Sequence, residues 1–225
     1  MEVAPTMYGS WEELFSGTAA IPGNPVAMQS LLFGKGYNIY SDLVGWLGHM
    51  NAVAGLARAA GCRYLVFGSP LSRKFPAQLL SRNNGFSAAE LYMAGVLCDL
   101  ADNNPDIIFG LEANPTQYGA NTATNADEAT RIVRLAARGN IRFHADSGCL
   151  RLAGDDPVEA LKAHSDIITR CHVSMPNLKP YDGSEKEFIS IAISLGLGIS
   201  YEARSSADAE EAASLFFLDI ERAIT

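Results

Sequence analysis

The stretch IIFGLEA, residues 107–113, is a short run of apolar strand-forming residues that carries a glutamate at its end. Three later stretches repeat the design. IRFHADS (141–147) carries Asp146, TRCHVS (169–174) carries His172, and GISYEAR (198–204) carries Glu202. Successive separations among these four groups are 34, 26 and 30 residues, each the length of one strand plus one helix. Strand side chains alternate between faces, so Gly110 and Glu112 share one face while Phe109 and Leu111 take the other. The same rule puts His144 with Asp146 and Ser200 with Glu202. Each of four consecutive strands thus offers one possible metal ligand near its C-terminal end, and on a parallel barrel such groups converge on one face.

Outward from these strands the pattern continues. Strand-like runs are expected at Glu2–Ala4, Ala27–Phe33, Tyr64–Gly68, Ile107–Ala113, Ile141–Ser147, Ile167–Ser174 and Gly198–Ala203, seven in all. Helical patterns separate them. Ser41 is placed to cap a helix over Asp42–Ala60 that Gly61 ends, Asn125 with Glu128 reads as a capping box for a helix closed by Gly139, and Ser205 is placed to cap the last helix. In that last helix Ala209, Ala212, Phe216 and Ile220 recur at helical spacing. Strand and helix in alternation mean a parallel sheet covered by helices, in one domain over residues 1–225. An open doubly wound sheet and a closed barrel share this pattern. No strand runs into GxGxxG or a P-loop, so neither a dinucleotide nor a nucleoside-triphosphate site is indicated.

Composition narrows the function. Lys plus Arg number 17 against 25 Asp plus Glu, a formal charge of −8, which argues against a partner recognised through a nucleic-acid backbone. No apolar run approaches the roughly 18 residues of a membrane span, and MEVAPTMYGS lacks the basic and apolar regions of a signal peptide. Cys62, Cys98, Cys149 and Cys171 form no CxxC pair. Reduced thiols in a cytoplasm are expected.

A lone carboxylate at a strand end is most simply a cap or a solvated loop residue. Four groups in register are a different matter. Glu112, Asp146 and Glu202 facing a common interior would repel one another unless a cation or bound protons neutralised them. Three carboxylates and one imidazole make a mostly hard site, suited to Mn²⁺, Mg²⁺ or Co²⁺.

At these residues the chain resembles the xylose-isomerase-like TIM barrels: sugar phosphate isomerases and epimerases, ketose 3-epimerases, inosose dehydratase and endonuclease IV. The matching segments are YLVFGSPLSR (64–73), GLEANPTQYGANTATNADEA (110–129), RFHADSGCL (142–150), CHVSMPNL (171–178) and ISYEAR (199–204). The resemblance implies a metal set of Glu112, Asp146, His172 and Glu202, with Glu112 and Glu202 also moving a proton on opposite faces of a hydroxy-ketone. Asp146 and His172 would mainly hold the metal. It implies a metal-dependent isomerase or epimerase acting on a small sugar through an enediolate. A dehydratase-type lyase and a catalytically degenerate sugar-binding or partner subunit are the alternatives.

Three departures qualify it. Ketose 3-epimerases carry a His three residues after the Asp ligand and an Arg six after the His ligand, where this chain has Cys149 and Leu178. Their acidic residue three after the His ligand is here Met175. With only His49, His144, His164 and His172, a three-zinc endonuclease site is not expected. The Glu112 strand is the fourth of seven where the family has it fifth, so the first βα unit is missing, and a homodimer is expected to cover the gap. Substrate contacts are expected from His144, Asn114, Tyr118 and Arg73. The competing roles are an interior hydrogen-bonded histidine for His144 and a surface arginine over apolar area for Arg73.

Overall fold

The computed structural model describes residues 1–204 and 207–225. Seven parallel strands form one sheet, in the order β1 (Glu2–Val3), β2 (Ala27–Met28), β3 (Tyr64–Phe67), β6 (Ile108–Glu112), β7 (Ile141–Asp146), β8 (Ile168–Ser174) and β9 (Gly198–Glu202). A separate antiparallel hairpin pairs β4 (Arg82–Asn83) with β5 (Phe86–Ser87). The helices are α1 (Trp11–Ser16), α2 (Leu43–Ala59), α3 (Ala88–Asn103), α4 (Ala126–Ala136), α5 (Ser147–Ala153), α6 (Pro157–Ala163), α7 (Lys186–Ser194) and α8 (Ala209–Ile224). The sheet curls into a nearly closed barrel, an incomplete TIM-type α/β barrel of seven strands. Among the described residues no backbone pairing joins β1 to β9.

Strand alternation sorts the side chains as the sequence predicts. Leu65, Phe67, Phe109, Leu111, Phe143 and Val173 point outward into the main core against the helices. Each such fully buried large side chain contributes on the order of 1.5–3 kcal/mol. The barrel interior holds a small apolar plug of Ala27, Tyr64 and Val66, with Ile108 against it. Gly110 faces the same interior, where a methyl would collide with the Tyr64 hydroxyl. Strand β8 needs a correction of parity. Phe143 pairs with Ile168 but Ala145 pairs with Cys171, so β8 spends one extra residue in an irregularity between them. That insertion keeps Cys171 outward and turns His172 inward opposite Asp146.

Several boundaries differ from expectation. The run Ala27–Phe33 is a strand only over Ala27–Met28, because the chain turns at Ser30 with φ 55°. Asp42, not Ser41, caps α2 by accepting the Gly45 amide at 3.1 Å. Asn125 caps α4 as expected, but the Glu128 carboxylate turns to Thr124, so only half of the capping box forms. Ala137, at φ 49°, ends α4 before Gly139 is reached. Ser205 lies outside the described residues, and Asp208 stands at the start of α8. The β4–β5 hairpin turns through Asn84-Gly85 with φ 54° and 88° and delivers Ser87, which caps α3 in a reciprocal box with Glu90.

Candidate metal centre and active site

The sheet register assembles the site. Glu112 stands beside His144, Asp146 beside His172, and Glu202 beside Ser174, two residues beyond His172. The stagger brings four groups to one place: ligand atoms of Glu112, Asp146, His172 and Glu202 all lie within 4.8 Å of one another. His172 Nδ1 is at the centre, 3.2 Å from Glu202, 3.7 Å from Glu112 and 3.8 Å from Asp146. A second set, Glu112, His144 and His172, shares two of these residues.

Local chemistry fixes each group. Asp146 ends β7 and caps α5, its Oδ1 accepting the Cys149 amide at 2.6 Å and the Ser174 hydroxyl at 2.7 Å. Its Oδ2 is buried with no partner. Glu112 accepts the Asn114 amide at 2.7 Å, and its Oε2 occupies the space that a side chain on Gly68 would fill. Glu202 is the most open of the four, with a side chain 25% exposed. His172 Nδ1 and Asp146 Oδ2 are thus unpartnered polar atoms in a buried site, each aimed among the other candidate ligands. Buried polar atoms are normally satisfied, so this donor set fits a divalent cation.

Electrostatics agree. Burial, then the charges of Glu112 and Glu202, push the Asp146 carboxyl up to about 7. Burial opposes charge on His172, but the Glu2 carboxylate bonded to Nε2 and the nearby Glu112 and Glu202 carboxylates outweigh it and hold the ring well above its ordinary value. Without a cation, therefore, protons on Asp146 and His172 offset the clustered carboxylates. Burial, then the charge on His172, lowers His144 to about 3, so it stays neutral. The Tyr64 hydroxyl and His144 Nδ1 share a hydrogen bond of 3.2 Å, leaving Nε2 buried without a partner.

Glu2 is a site residue that the sequence reading does not nominate. It stands on β1, faces inward because Val3 takes the core side, and bonds His172 Nε2 at 2.7 Å across the barrel interior. Burial raises its pKa, but the His172 charge and bond prevail and bring it to about 2. The signal available is an acidic residue inside a strand-like run. A carboxylate on the far nitrogen fixes the ring so that Nδ1 faces the site. Glu2→Ala is expected to weaken Mn²⁺ binding about 10–100-fold, with Glu2→Gln, which still accepts the Nε2 hydrogen, restoring most of it. Wild-type affinity in Glu2→Ala, measured by calorimetry, would remove Glu2 from the site.

The remaining expected contacts divide. Asn114 and Tyr118 line a chamber of about 180 Å³ with Glu112 and Glu202, and Cys149 and Leu178 share its wall. Arg73 is neither a surface residue nor turned toward that chamber. It is fully buried, and its guanidinium donates to the Glu112 carbonyl at 3.0 Å, the Ala123 carbonyl at 3.2 Å and the Asn114 side-chain oxygen. Burial lowers its pKa to about 10. Arg73 thus holds the loop that carries Asn114.

Across most of its length the chain shares its fold with solved TIM-type barrels. L-ribulose 3-epimerase superposes over 88% of this chain and 75% of its own, with a TM-score of 0.69 and 16% identity. The 3-keto-D-glucoside 4-epimerase of E. coli matches over 87% and 78%, with a TM-score of 0.64 and 12% identity. A family 2 AP endonuclease of Brucella melitensis matches over 96% and 86%, with a TM-score of 0.69 and 16% identity. No family model and no curated protein sequence matches the chain. Among the described residues no helix is long and apolar enough to cross a membrane.

Proposed function

We propose that the chain, as one domain over residues 1–225, is a divalent-metal-dependent isomerase or epimerase of a small sugar-like hydroxy-ketone. The observation that carries this is the convergence of Glu112, Asp146, His172 and Glu202 from four strands, with unpartnered atoms aimed inward. The epimerases that share the fold support the substrate class. Asp146 and His172 would hold the ion, with Glu112 and Glu202 sharing in holding it. Mn²⁺, Mg²⁺ or Co²⁺ suits this set, and when bound it supplies the positive charge that an enediolate requires. Glu112 and Glu202 stand on opposite faces of the substrate, one removing the proton beside the carbonyl and the other returning one. Asn114 keeps the Glu112 carboxylate in place, and Tyr118 offers a hydroxyl at the chamber wall. His144, expected to touch substrate, is fully buried, bonds the Tyr64 hydroxyl and does not line the chamber, so its role is that of an interior histidine behind the ligands. The proposal includes a homodimer covering the unpaired β1 and β9 edges; a stable monomer in light scattering contradicts that part.

The test is proton exchange. Incubated with Mn²⁺, D₂O and a panel of keto-sugars, the protein is expected to place one deuterium on the carbon beside the carbonyl of its substrate and to form an isomer of otherwise equal mass. A product lighter by one water identifies a lyase instead. No exchange across the panel, by a metal-loaded protein, contradicts the enzymatic reading.

A further inference from the structure

The chamber over Glu112 and Glu202 opens into a larger space. A second cavity of about 430 Å³ shares Ser30, Ser69, Pro70 and Tyr118 with it and runs outward between the loops that follow β2 and β3. The two linings differ in their charged and amide groups and in how open their apolar side chains stand. The inner chamber presents Gln29, Glu112, Asn114 and Glu202. The outer one presents Leu32, Phe33, Pro70 and Leu71 with the hydroxyls of three serines and Tyr118, Lys35 being its sole charged residue, and has no carboxylate or side-chain amide. Phe33 and Leu71, 69% and 74% exposed, stand as two apolar jaws of that space. Large apolar side chains left so open beside a polar site mark a place for an apolar ligand group.

The jaws are built on fixed backbone. The Trp11 indole donates to the Phe33 carbonyl at 2.8 Å, and the Phe33 amide bonds the Ser30 carbonyl at 3.0 Å. Across the cavity the Ser72 amide and hydroxyl both bond the Ser69 carbonyl, and the Ile39 amide ties the two loops together through the Ser72 carbonyl at 2.9 Å. Leu71 rests over Gly119, where a methyl would come within 2.7 Å of its Cδ2. Ser30 and Ser69, the two serines shared by both cavities, hold left-handed backbone at φ 55° and 44°, a conformation L-residues keep only where surrounding structure enforces it.

We infer that the outer cavity is a subsite for an apolar substituent of the substrate, so that the chain acts on a polyhydroxylated ketone bearing an aryl or alkyl group, such as an aryl glycoside with one ring hydroxyl oxidised to a ketone, rather than on a free sugar. The inference rests on the proposed function for the polar end of that molecule. A second sugar ring fits the lining less well, because the lining has hydroxyls and one ammonium but no carboxylate or side-chain amide to hold a pair of adjacent hydroxyls.

The test compares methyl β-D-glucopyranoside, phenyl β-D-glucopyranoside and cellobiose, unoxidised analogues that can bind but not react, as probes of the Mg²⁺-loaded protein, by saturation-transfer NMR and titration. The phenyl glycoside is expected to bind at least tenfold more tightly than the methyl glycoside. Phe33→Ser and Leu71→Ser should each remove most of that margin, while Phe217→Ser, at an exposed aromatic on α8, should leave it intact. An equal gain with cellobiose, no gain with phenyl, or a gain untouched by the jaw variants overturns the inference. So does a jaw-dependent dimer, which would make these side chains an interface. Failure of the proposed function is separate: it would show as absent metal uptake whatever the preference among glycosides.

Discussion

Glu112→Gln and Glu202→Gln should each lower turnover, and the accompanying deuterium exchange, by about 10²–10⁴-fold at saturating Mn²⁺, the range by which a positioned acid or base accelerates a proton transfer. Both substitutions keep the shape of the side chain. In Glu112→Gln the remaining side-chain oxygen can still accept the Asn114 amide that now bonds Glu112. Each also removes one of the two charges that raise the Asp146 pKa. The metal-free variants should therefore unfold within a few degrees of the parent, so that lost activity cannot be ascribed to a lost fold. A variant that retains half of the parent rate on the true substrate contradicts a two-glutamate mechanism.

Arg73→Ala should have the largest effect on stability. The guanidinium is fully buried and bonds two backbone carbonyls and Asn114. Removing it strips a donor from the two carbonyls and from the Asn114 side-chain oxygen in a region closed to water, although the Ala123 carbonyl keeps the Asn114 amide, at a cost of about 3–5 kcal/mol. For a chain of this length that lowers the midpoint by roughly 6–20 °C. Lys at this position should not restore it, because one ammonium cannot span the forked contacts. Measured in EDTA, the loss must appear with no metal or substrate present. An unchanged midpoint there would return Arg73 to a role in ligand binding.

The separation of these roles is only partly legible in the sequence. Glu112, Asp146, His172 and Glu202 are readable because each sits near the end of a strand-like run at βα spacing. Alternation alone is enough to aim three of them inward. His172 needs the irregularity between Ile168 and Cys171, which no local residue pattern announces. Arg73 is ambiguous in sequence because its burial depends on a loop contact with Ala123, fifty residues away in the chain. Glu2 escapes a sequence reading because its partner lies 170 residues on, a pairing that only barrel curvature creates. The hairpin differs in kind: the Asn84-Gly85 pair is a strong local turn signal, and it lies between strands too short to register as apolar runs. Ala27–Phe33 errs in the other direction, its apolar composition outlasting the strand because a turn intervenes at Ser30.

The central claim is that four strands build one cation site, and the protons of the metal-free chain make it measurable. Asp146, raised to about 7 in the fold against about 3.9 in an unfolded chain, contributes stability that is full below about pH 4 and lost as pH rises toward 7. His172 acts in the same direction, its contribution lost only at higher pH as its raised folded pKa is passed. A cation must displace both protons, so its affinity and its stabilisation grow as pH rises, and binding near pH 6 releases close to two protons. The decisive measurement is a calorimetric titration of EDTA-stripped protein with Mn²⁺ at pH 6 and pH 8, in buffers of different ionisation enthalpy, with melting curves alongside. The account predicts one ion per chain, proton release that falls from pH 6 to pH 8, a Mn²⁺-induced rise in midpoint that is larger at pH 8, and loss of all three in Asp146→Ala. No binding heat and no shift in midpoint at either pH would contradict it.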